Sequence, residues 1–381
     1  MTYRPRIYCM TLSAIFAAAI LVGSVGAFMP YDSVPTQQEQ RTLASFPSGA
    51  EFAHPTIIPA RITAFFSDNF GGRKLLTREY FRVRLKVLRS DLGAGLVLGK
   101  EGSLVLNGEI RSSRHLHRIE PQTLEHIRRL LNSWCSYARE RGAVFVFVIA
   151  PNKTTIHPFL PDYLPISDRP SVIEALQALP LDCPAIKVDL RAPFRRAAAN
   201  ELLYYKWGSH WNEAGGLIMW RAIKQAVERE GPPLSWPNSK LTVTRRPAAP
   251  LEDSMWAWFG LPDPEQIMLK QHAFGDIAYD SSAASRPRAK ILVFGDSFLL
   301  WTGTTPTEIM GRYTLWALSP QDQFEYQTGD LQKDGWVIAA HPPQKQIEIM
   351  DAFRPNIVVL EIVERGIDQL IEFSLPAAKG E

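Results

Sequence analysis

The sequence predicts an α/β protein, a three-layer α/β/α sandwich around a mainly parallel sheet, and three observations carry that prediction. Four short apolar runs, Ala143–Ala150, Ile186–Leu190, Ile291–Phe294 and Asn356–Glu361, read as strands buried on both faces rather than half-solvated ones. Segments with helical periodicity lie between them, the alternation expected when helices cover both faces of a parallel sheet. Ile291-Leu292-Val293-Phe294 then stops at Gly295-Asp296-Ser297, so a serine stands at the carboxyl end of a strand, where open α/β sheets collect reactive groups.

The first element is a run of roughly 23 uncharged residues from Ile7 to Met29, preceded by Arg4 and Arg6. That length crosses a ~30 Å hydrocarbon core, and the positive flank keeps the N-terminus in the cytoplasm. Val25-Gly26-Ala27 offers a small-residue cleavage site, but the run exceeds the roughly 7–15 residues of a cleaved signal, so residues 1–30 read first as an uncleaved anchor, with a signal peptide as the alternative. No second spanning run follows, which places the rest of the chain outside the cytoplasm: in a two-membrane bacterial envelope, a periplasmic domain held at the inner membrane. Residues 31–58, rich in Pro, Ser, Thr and Gln, read as a linker or arm.

Residues 59–375 read as one domain. Helical signal runs from Pro59 to Arg89, broken by a turn at Asp68–Arg73, and Leu96–Leu106 has the pattern of a hairpin about a charged turn. Leu124, Ile127, Leu130, Leu131, Trp134 and Tyr137 share one face of a helix that Gly142 can end, and the Ala143–Ala150 strand follows. Ser171–Leu179 is helical, Ile186–Leu190 a strand and Arg191–Asn200 a short helix; another helix runs from Glu213 to about Val227. Residues from about 231 to 288, rich in Pro and Trp, read as an irregular insertion. Ile291–Phe294, a helix from about Gln344 to Phe353, and the strand from Asn356 complete the chain.

Composition narrows the function. With 381 residues, 46% hydrophobic and 21% charged, the chain can bury a large core, and a formal charge of +3 without a clustered basic face excludes a nucleic-acid binder. Cys9, Cys135 and Cys183 lack metal-binding spacing, so neither a metal site nor a disulfide framework is indicated; a single Cys135–Cys183 bridge stays open. No cofactor is called for.

A serine hydroxyl becomes a useful nucleophile only when a base takes its proton. Ser297 would be that nucleophile, although Gly-Asp-Ser is equally good turn chemistry. His210, between Ser209 and Trp211 just before a helix, is the best-placed base, with packing or capping as its other reading. His157, after the Ala143 strand, is the one rival.

Taken together, the anchor, Glu39-x-Arg41 with Phe46-Pro47, Asp68-x-Phe70-Gly71-x-Arg73, Gly99-Lys100-x-Gly102, Pro151-Asn152-Lys153, Ser209-His210-Trp211-Asn212, Gly295-Asp296-Ser297-Phe298 and Glu364-Arg365 resemble the alginate O-acetyltransferases of the AlgJ/AlgX type. The resemblance implies an SGNH-hydrolase-like fold in circularly permuted order, with Ser297 as nucleophile and His210 as base. It further implies acetyl transfer to an exported polysaccharide, and a membrane-bound O-acyltransferase as the partner that supplies the acyl group. One departure stands out. The family pattern is Asp-Thr-His-Trp, whereas this chain reads Gly208-Ser209-His210-Trp211, so the orienting acid is missing from its place. Ser209, Asp296, Glu361 and Glu364 are the residues considered for that role, and an aspartate placed at Gly208 should raise activity if the ring lacks an acid. Trp207, Trp211 and Trp301 could form a sugar-stacking wall or belong to the core. Backbone N–H groups around Gly295–Ser297 could bind the oxyanion. Two further functions stay open: an esterase of the same fold, and a non-catalytic envelope assembly protein. The short segment after Arg365 resembles members without a carbohydrate-binding module.

Overall fold

The computed structural model describes residues 4–28, 43–49, 51–84, 95–160, 165–250, 253–256, 261, 263–279, 285–300, 324–327 and 343–373. Glu39, Arg41 and Trp301 lie outside them. The chain divides into two compact units, one holding Met1–Ser90 and a short return at Trp256–Pro262, the other most of the remainder.

The first unit contains α1 (Arg4–Gly26), α2 (Ile58–Asn69) and α3 (Arg73–Val83). An 18-residue window of α1, Cys9–Gly26, has a mean hydropathy of 2.0, long and apolar enough to cross a membrane by length and composition. Phe28, Phe46, Phe65 and Phe66 cluster with ring centroids 5.2–5.8 Å apart. The sequence reading starts the main domain at 59, whereas α2 and α3 belong to this first unit.

The second unit is the sandwich. It begins with a small hairpin, β1 (Leu96–Leu98) and β2 (Leu104–Leu106), followed by α4 (Asn107–Ser113). Next come α5 (Pro121–Glu140), β3 (Val144–Ala150), α6 (Lys153–Ile156), α7 (Val172–Ala178), β4 (Ile186–Asp189), α8 (Arg191–Ala198) and α9 (Glu213–Glu230). Pro121 opens α5, where its missing N–H costs nothing. Ser171 caps α7 in a reciprocal capping box with Glu174.

The sheet runs β4-β3-β9-β7-β8, with β7 (Ile291–Phe294), β8 (Phe324–Gln327) and β9 (Ile357–Val363), and every pairing is parallel. The expected parallel sheet is there, with β8 as a fifth strand that the apolar runs do not announce. Alternate residues feed two cores. Val146, Val148, Ile291, Val293, Ile357 and Val359 face α8 and α9. Phe145, Phe147, Leu292, Phe294, Val358 and Leu360 face α5, α7 and the 3-10 segment Glu364–Phe373. Two-sided burial explains why these strands read as unbroken apolar runs. Cys135 and Cys183 form a disulfide across 48 residues of chain, joining α5 to the approach to β4. Helix α10 (Ser297–Leu300) follows β7, and α11 (Pro343–Phe353) precedes β9.

One expectation is corrected. The 231–288 insertion is not irregular: β5 (Pro237–Pro247) and β6 (Met268–Tyr279) form a long antiparallel ribbon. Leu241-Thr-Val-Thr carried the β-branched signal, which the surrounding prolines and tryptophans obscured.

Candidate active site

The loop between α8 and α9 is fastened before any of its side chains can act. Tyr205 N–H donates to His210 O at 3.1 Å and Asn212 N–H to Leu203 O at 2.9 Å, closing a narrow double-backed turn. Asn212 then caps α9, accepting from Ala214 and Gly215 N–H at 3.0 and 3.3 Å. From below, the buried Lys153 Nζ donates to Leu104 O at 2.6 Å, Lys206 O at 3.2 Å and Gly208 O. Burial pushes the Lys153 ammonium below its usual value, against the pull of Glu109 and Asp253.

On this loop His210 faces two ways. Its Nε2 lies 2.9 Å from Ser297 Oγ, at the carboxyl end of β7 and the start of α10 (Ser297–Leu300). Its Nδ1 lies 3.0 Å from Asp253 Oδ1, and its backbone N–H donates to Asp253 Oδ2 at 3.1 Å. Asp253 sits at the end of the ribbon, in the loop after β5. Burial pushes its carboxyl up, but the His210 ring, the two hydrogen bonds from that residue and nearby Lys153 outweigh burial and hold it below the ordinary value. A serine, an imidazole and a carboxylate thus form one chain of hydrogen bonds. Such a chain can pass the serine proton to the ring while the carboxylate fixes the tautomer and steadies the charged imidazole.

Residues 96–299, over half the chain and including all three of these side chains, match the model of the SGNH hydrolase-like domain, acetyltransferase AlgX. The chain belongs to this family. Among solved structures, the O-acetyltransferase domain of Pseudomonas putida AlgJ shares its fold, with a TM-score of 0.50 at 18% identity over 72% of this chain and 92% of that one. Pseudomonas aeruginosa AlgX gives a TM-score of 0.46 at 13% identity over 74% of this chain and 68% of that one. Bacillus cereus PatB1 with a sulfonyl adduct gives 0.40 at 13% identity over 68% and 94%. Comparison with curated proteins gives no match.

In this AlgX-type domain the acid has a different address from the family pattern. A Cβ on Gly208 would lie 2.0 Å from Asp253 Oδ2 and 2.1 Å from Asp253 O. Asp253 therefore fills the space where a side chain at 208 would begin. The carboxylate at the ring is none of the three considered from the sequence: it is Asp253, which arrives from the insertion, 43 residues after the histidine.

Of the residues considered for that role, Ser209 alone reaches the ring, with Oγ 3.3 Å from Nδ1, beside the closer carboxylate. Asp296 turns away from His210: its oxygens accept from Phe298 N–H at 2.8 Å and Val363 N–H at 2.7 Å. Glu361 Oε2 accepts from Asp296 N–H at 3.4 Å, and Glu364 Oε2 from Asn152 N–H at 3.0 Å and Thr155 Oγ1–H at 2.6 Å. Burial raises all three carboxyls, Glu361 furthest because the Asp296 charge adds to it. Asp296 and Glu361 latch the nucleophile turn to β9, and Glu364 latches the end of β9 to the turn after β3; none of their hydrogen bonds goes to the ring.

Of the two readings left open for the tryptophans, Trp207 and Trp211 take the core one. Trp211 is 1% exposed, donates its Nε1–H to Phe298 O at 2.9 Å and meets the Phe298 ring edge-on at 5.0 Å; Trp207 is 5% exposed. Neither offers a face to a sugar. His157 is a core residue: its Nε2 accepts from Leu203 N–H at 3.2 Å, and burial, with Lys153 beside it, pushes its pKa down to about 4.

Asn152, in the turn after β3, is a residue that sequence reading left without a role. Its Oδ1 accepts from Arg365 Nη1 at 3.0 Å, while its buried Nδ2 has no partner among the described residues. Arg365 lies 5.0 Å over the Phe298 ring, which brings Asn152 toward the nucleophile turn. The backbone donors on either side of Ser297 are occupied: Asp296 N–H by Glu361 and Phe298 N–H by Asp296. No cluster of metal-ligating side chains occurs among the described residues.

Proposed function

We propose that this protein is a periplasmic O-acetyltransferase that acylates hydroxyls of an exported polysaccharide through a covalent acyl-serine. The observation that carries the reading is the continuous Ser297–His210–Asp253 chain in a domain of the AlgX acetyltransferase family. Ser297 Oγ attacks the carbonyl carbon of an acetyl donor as His210 Nε2 takes its proton; the leaving group departs with that proton, and the acetyl group remains on the serine. A sugar hydroxyl then attacks the acyl-serine while Nε2 takes the hydroxyl proton, and that proton returns to Ser297 as the acetylated sugar leaves. The oxyanion formed in each half needs a donor, and we assign that role to Asn152 Nδ2, a buried amide group with no partner among the described residues.

Helix α1 has the length and composition of a membrane anchor. The Cys135–Cys183 disulfide fits an oxidising compartment. An acetyl donor outside the cytoplasm must come through the membrane, so we assign the supply to a membrane-bound O-acyltransferase, with α1 keeping this protein close to it.

The test is intact-mass analysis of the full chain in detergent after exposure to an activated acetyl ester. The wild type gains one acetyl group and Ser297→Ala gains none; equal labelling of both sinks the acyl-serine. In cells, deletion lowers polymer acetylation, whereas a rise would make the protein an esterase. Unchanged acetylation with Ser297→Ala, against a loss on deletion, would make it a non-catalytic assembly protein.

A further inference from the structure

Asn152 occupies an N-cap position and does not cap. It precedes α6 with extended backbone, where an asparagine normally turns its side-chain oxygen onto the first N–H groups of the helix, yet it makes no such bond. Its Oδ1 accepts instead from Arg365 Nη1 at 3.0 Å, and its backbone N–H donates to Glu364 Oε2 at 3.0 Å. Two consecutive residues past β9 therefore hold this one asparagine, by main chain and by side chain.

Sheet register places that grip beside the nucleophile. β3 and β7 pair with opposite edges of β9, Ala150 level with Val363 and Phe294 with Leu360. Asn152 lies two residues beyond Ala150 and Ser297 three beyond Phe294, so both leave the sheet at its carboxyl edge, on either side of the β9 end. Arg365 spans the two sides. Besides meeting Asn152, its guanidinium carbon stands 5.0 Å from the centre of the Phe298 ring, itself 5.0 Å from the His210 ring. Its stem runs past α4, where a Cβ on Gly108 would stand 3.7 Å from Arg365 Cβ and Cδ.

A guanidinium can only donate hydrogen bonds, whereas a side-chain amide carries its oxygen on one side and its NH₂ on the other. The pairing with Arg365 therefore admits one orientation of the Asn152 amide. In it Nδ2 points away from Arg365, buried and without a partner among the described residues. The flipped amide would turn its oxygen toward a developing oxyanion and repel it.

We propose that Arg365 is a positioning residue, fixing the orientation of the Asn152 amide so that Nδ2 is held toward the oxyanion formed at Ser297; this rests on the acyl-serine reading and on Asn152 as its oxyanion donor. A donor already aimed needs no reorganisation as charge develops in the transition state. The diverted cap is what Asn152 gives up for that aim.

The test is the rate of acyl-serine formation from an activated acetyl ester, followed by intact mass on the full chain in detergent. The variants are Arg365→Met, Arg365→Lys, Asn152→Ala and the double variant of Arg365→Met with Asn152→Ala, each with its denaturant midpoint measured. Arg365→Met should slow acylation about ten- to a hundredfold, the worth of one hydrogen bond to a charged group. The loss should fall in the limiting rate and not in the ester concentration that half-saturates it, as for an interaction made only in the transition state. Arg365→Lys, which also only donates, should regain part of that loss. In the Asn152→Ala background Arg365→Met should change the rate by less than about twofold, because the group it orients is gone. An equal loss in both backgrounds would mean that Arg365 acts on the nucleophile turn through Phe298; that result, or Arg365→Met at the wild-type rate, overturns the inference and leaves Asn152 as the donor. Asn152→Ala at the wild-type rate removes the oxyanion assignment and the inference with it, while the acyl-serine stands. A wild type that gains no acetyl group ends the acyl-serine reading and everything resting on it. Should Arg365→Met fail to fold, Arg365→Gln, whose amide can meet either end of the Asn152 amide, replaces it in the cycle with the same outcomes.

Discussion

Replacing Asp253 with asparagine changes one group, yet it removes the feature that ties the insertion to the chemistry. The carboxylate accepts from both His210 Nδ1–H and His210 N–H, at 3.0 and 3.1 Å. An amide has one accepting oxygen and one donating nitrogen, so it satisfies only one of the two. If its oxygen keeps the backbone N–H, its NH₂ faces Nδ1 and favours the tautomer protonated on Nε2, which cannot accept the Ser297 proton. In the serine proteases that substitution costs about 10⁴ in turnover, or about 5.4 kcal/mol of barrier. We expect a loss of that order in the rate of acyl-serine formation, followed by intact mass against time. In that arrangement the amide still meets both atoms of His210, so the domain is expected to stay folded. Gly208→Asp completes the argument. With Asp253 present the new Cβ meets Oδ2 at 2.0 Å, so the variant is expected to lose activity by about a hundredfold, the scale of a misplacement near 1 Å. In an Asp253→Ala background that clash is gone, although the one with the backbone oxygen of residue 253, at 2.1 Å, stays. The double variant is therefore not expected to recover the activity lost by Asp253→Ala. Asp253→Asn within a few-fold of wild type, or a gain from Gly208→Asp with Asp253 in place, would refute the assignment.

Other outcomes follow from the same interactions. Lys153→Met abolishes three bonds to the carbonyls of Leu104, Lys206 and Gly208, and should lower stability by ~3–5 kcal/mol in denaturant titration and loosen the His210 loop. Breaking Cys135–Cys183 as Cys135→Ser frees a 48-residue loop and should cost about 4 kcal/mol on the loop-entropy model, read as a lower denaturant midpoint. Glu361 is held protonated by burial and by Asp296, so its effect on stability is nil below the unfolded carboxyl value of about 4.3. As pH rises from there toward the raised folded value, the unfolded chain sheds its proton first and stability falls; Glu361→Gln should flatten that decline in unfolding curves measured from pH 5 to 8. Asn152→Ala should slow acyl-serine formation by about 10²–10³-fold with folding intact, if its Nδ2 serves the oxyanion.

Much of this was legible in the residues because burial on two faces leaves a coarse mark. The apolar runs at Val144–Ala150, Ile291–Phe294 and Ile357–Val363 are strands because each side of the sheet meets a helical layer. Ser297 and His210 could be named because their neighbours are local: a strand end and turn for one, a capped helix start for the other. Asp253 left no such mark. Its role depends on a ribbon folding back over 43 residues to meet His210, and an Asp between Glu252 and Ser254 looks like any solvated loop acid. The one available sign was the glycine at 208, an absence of side chain that makes room for something else. The tryptophans stayed open between a sugar wall and the core for the opposite reason: aromatic content is visible in sequence, but which side of the backbone becomes core is not.

The ribbon also limits how this chain can change in length. The pairing Pro247↔Met268 fixes where β5 ends, and only five residues separate that point from Asp253. A residue of extended chain spans about 3.3 Å, so deleting one between 248 and 252 could draw the carboxylate out of hydrogen-bond range of the ring without disturbing a single strand of the central sheet. The insertion is therefore not free to drift as a surface loop would be. Its count of residues is as much a part of the chemistry as the serine.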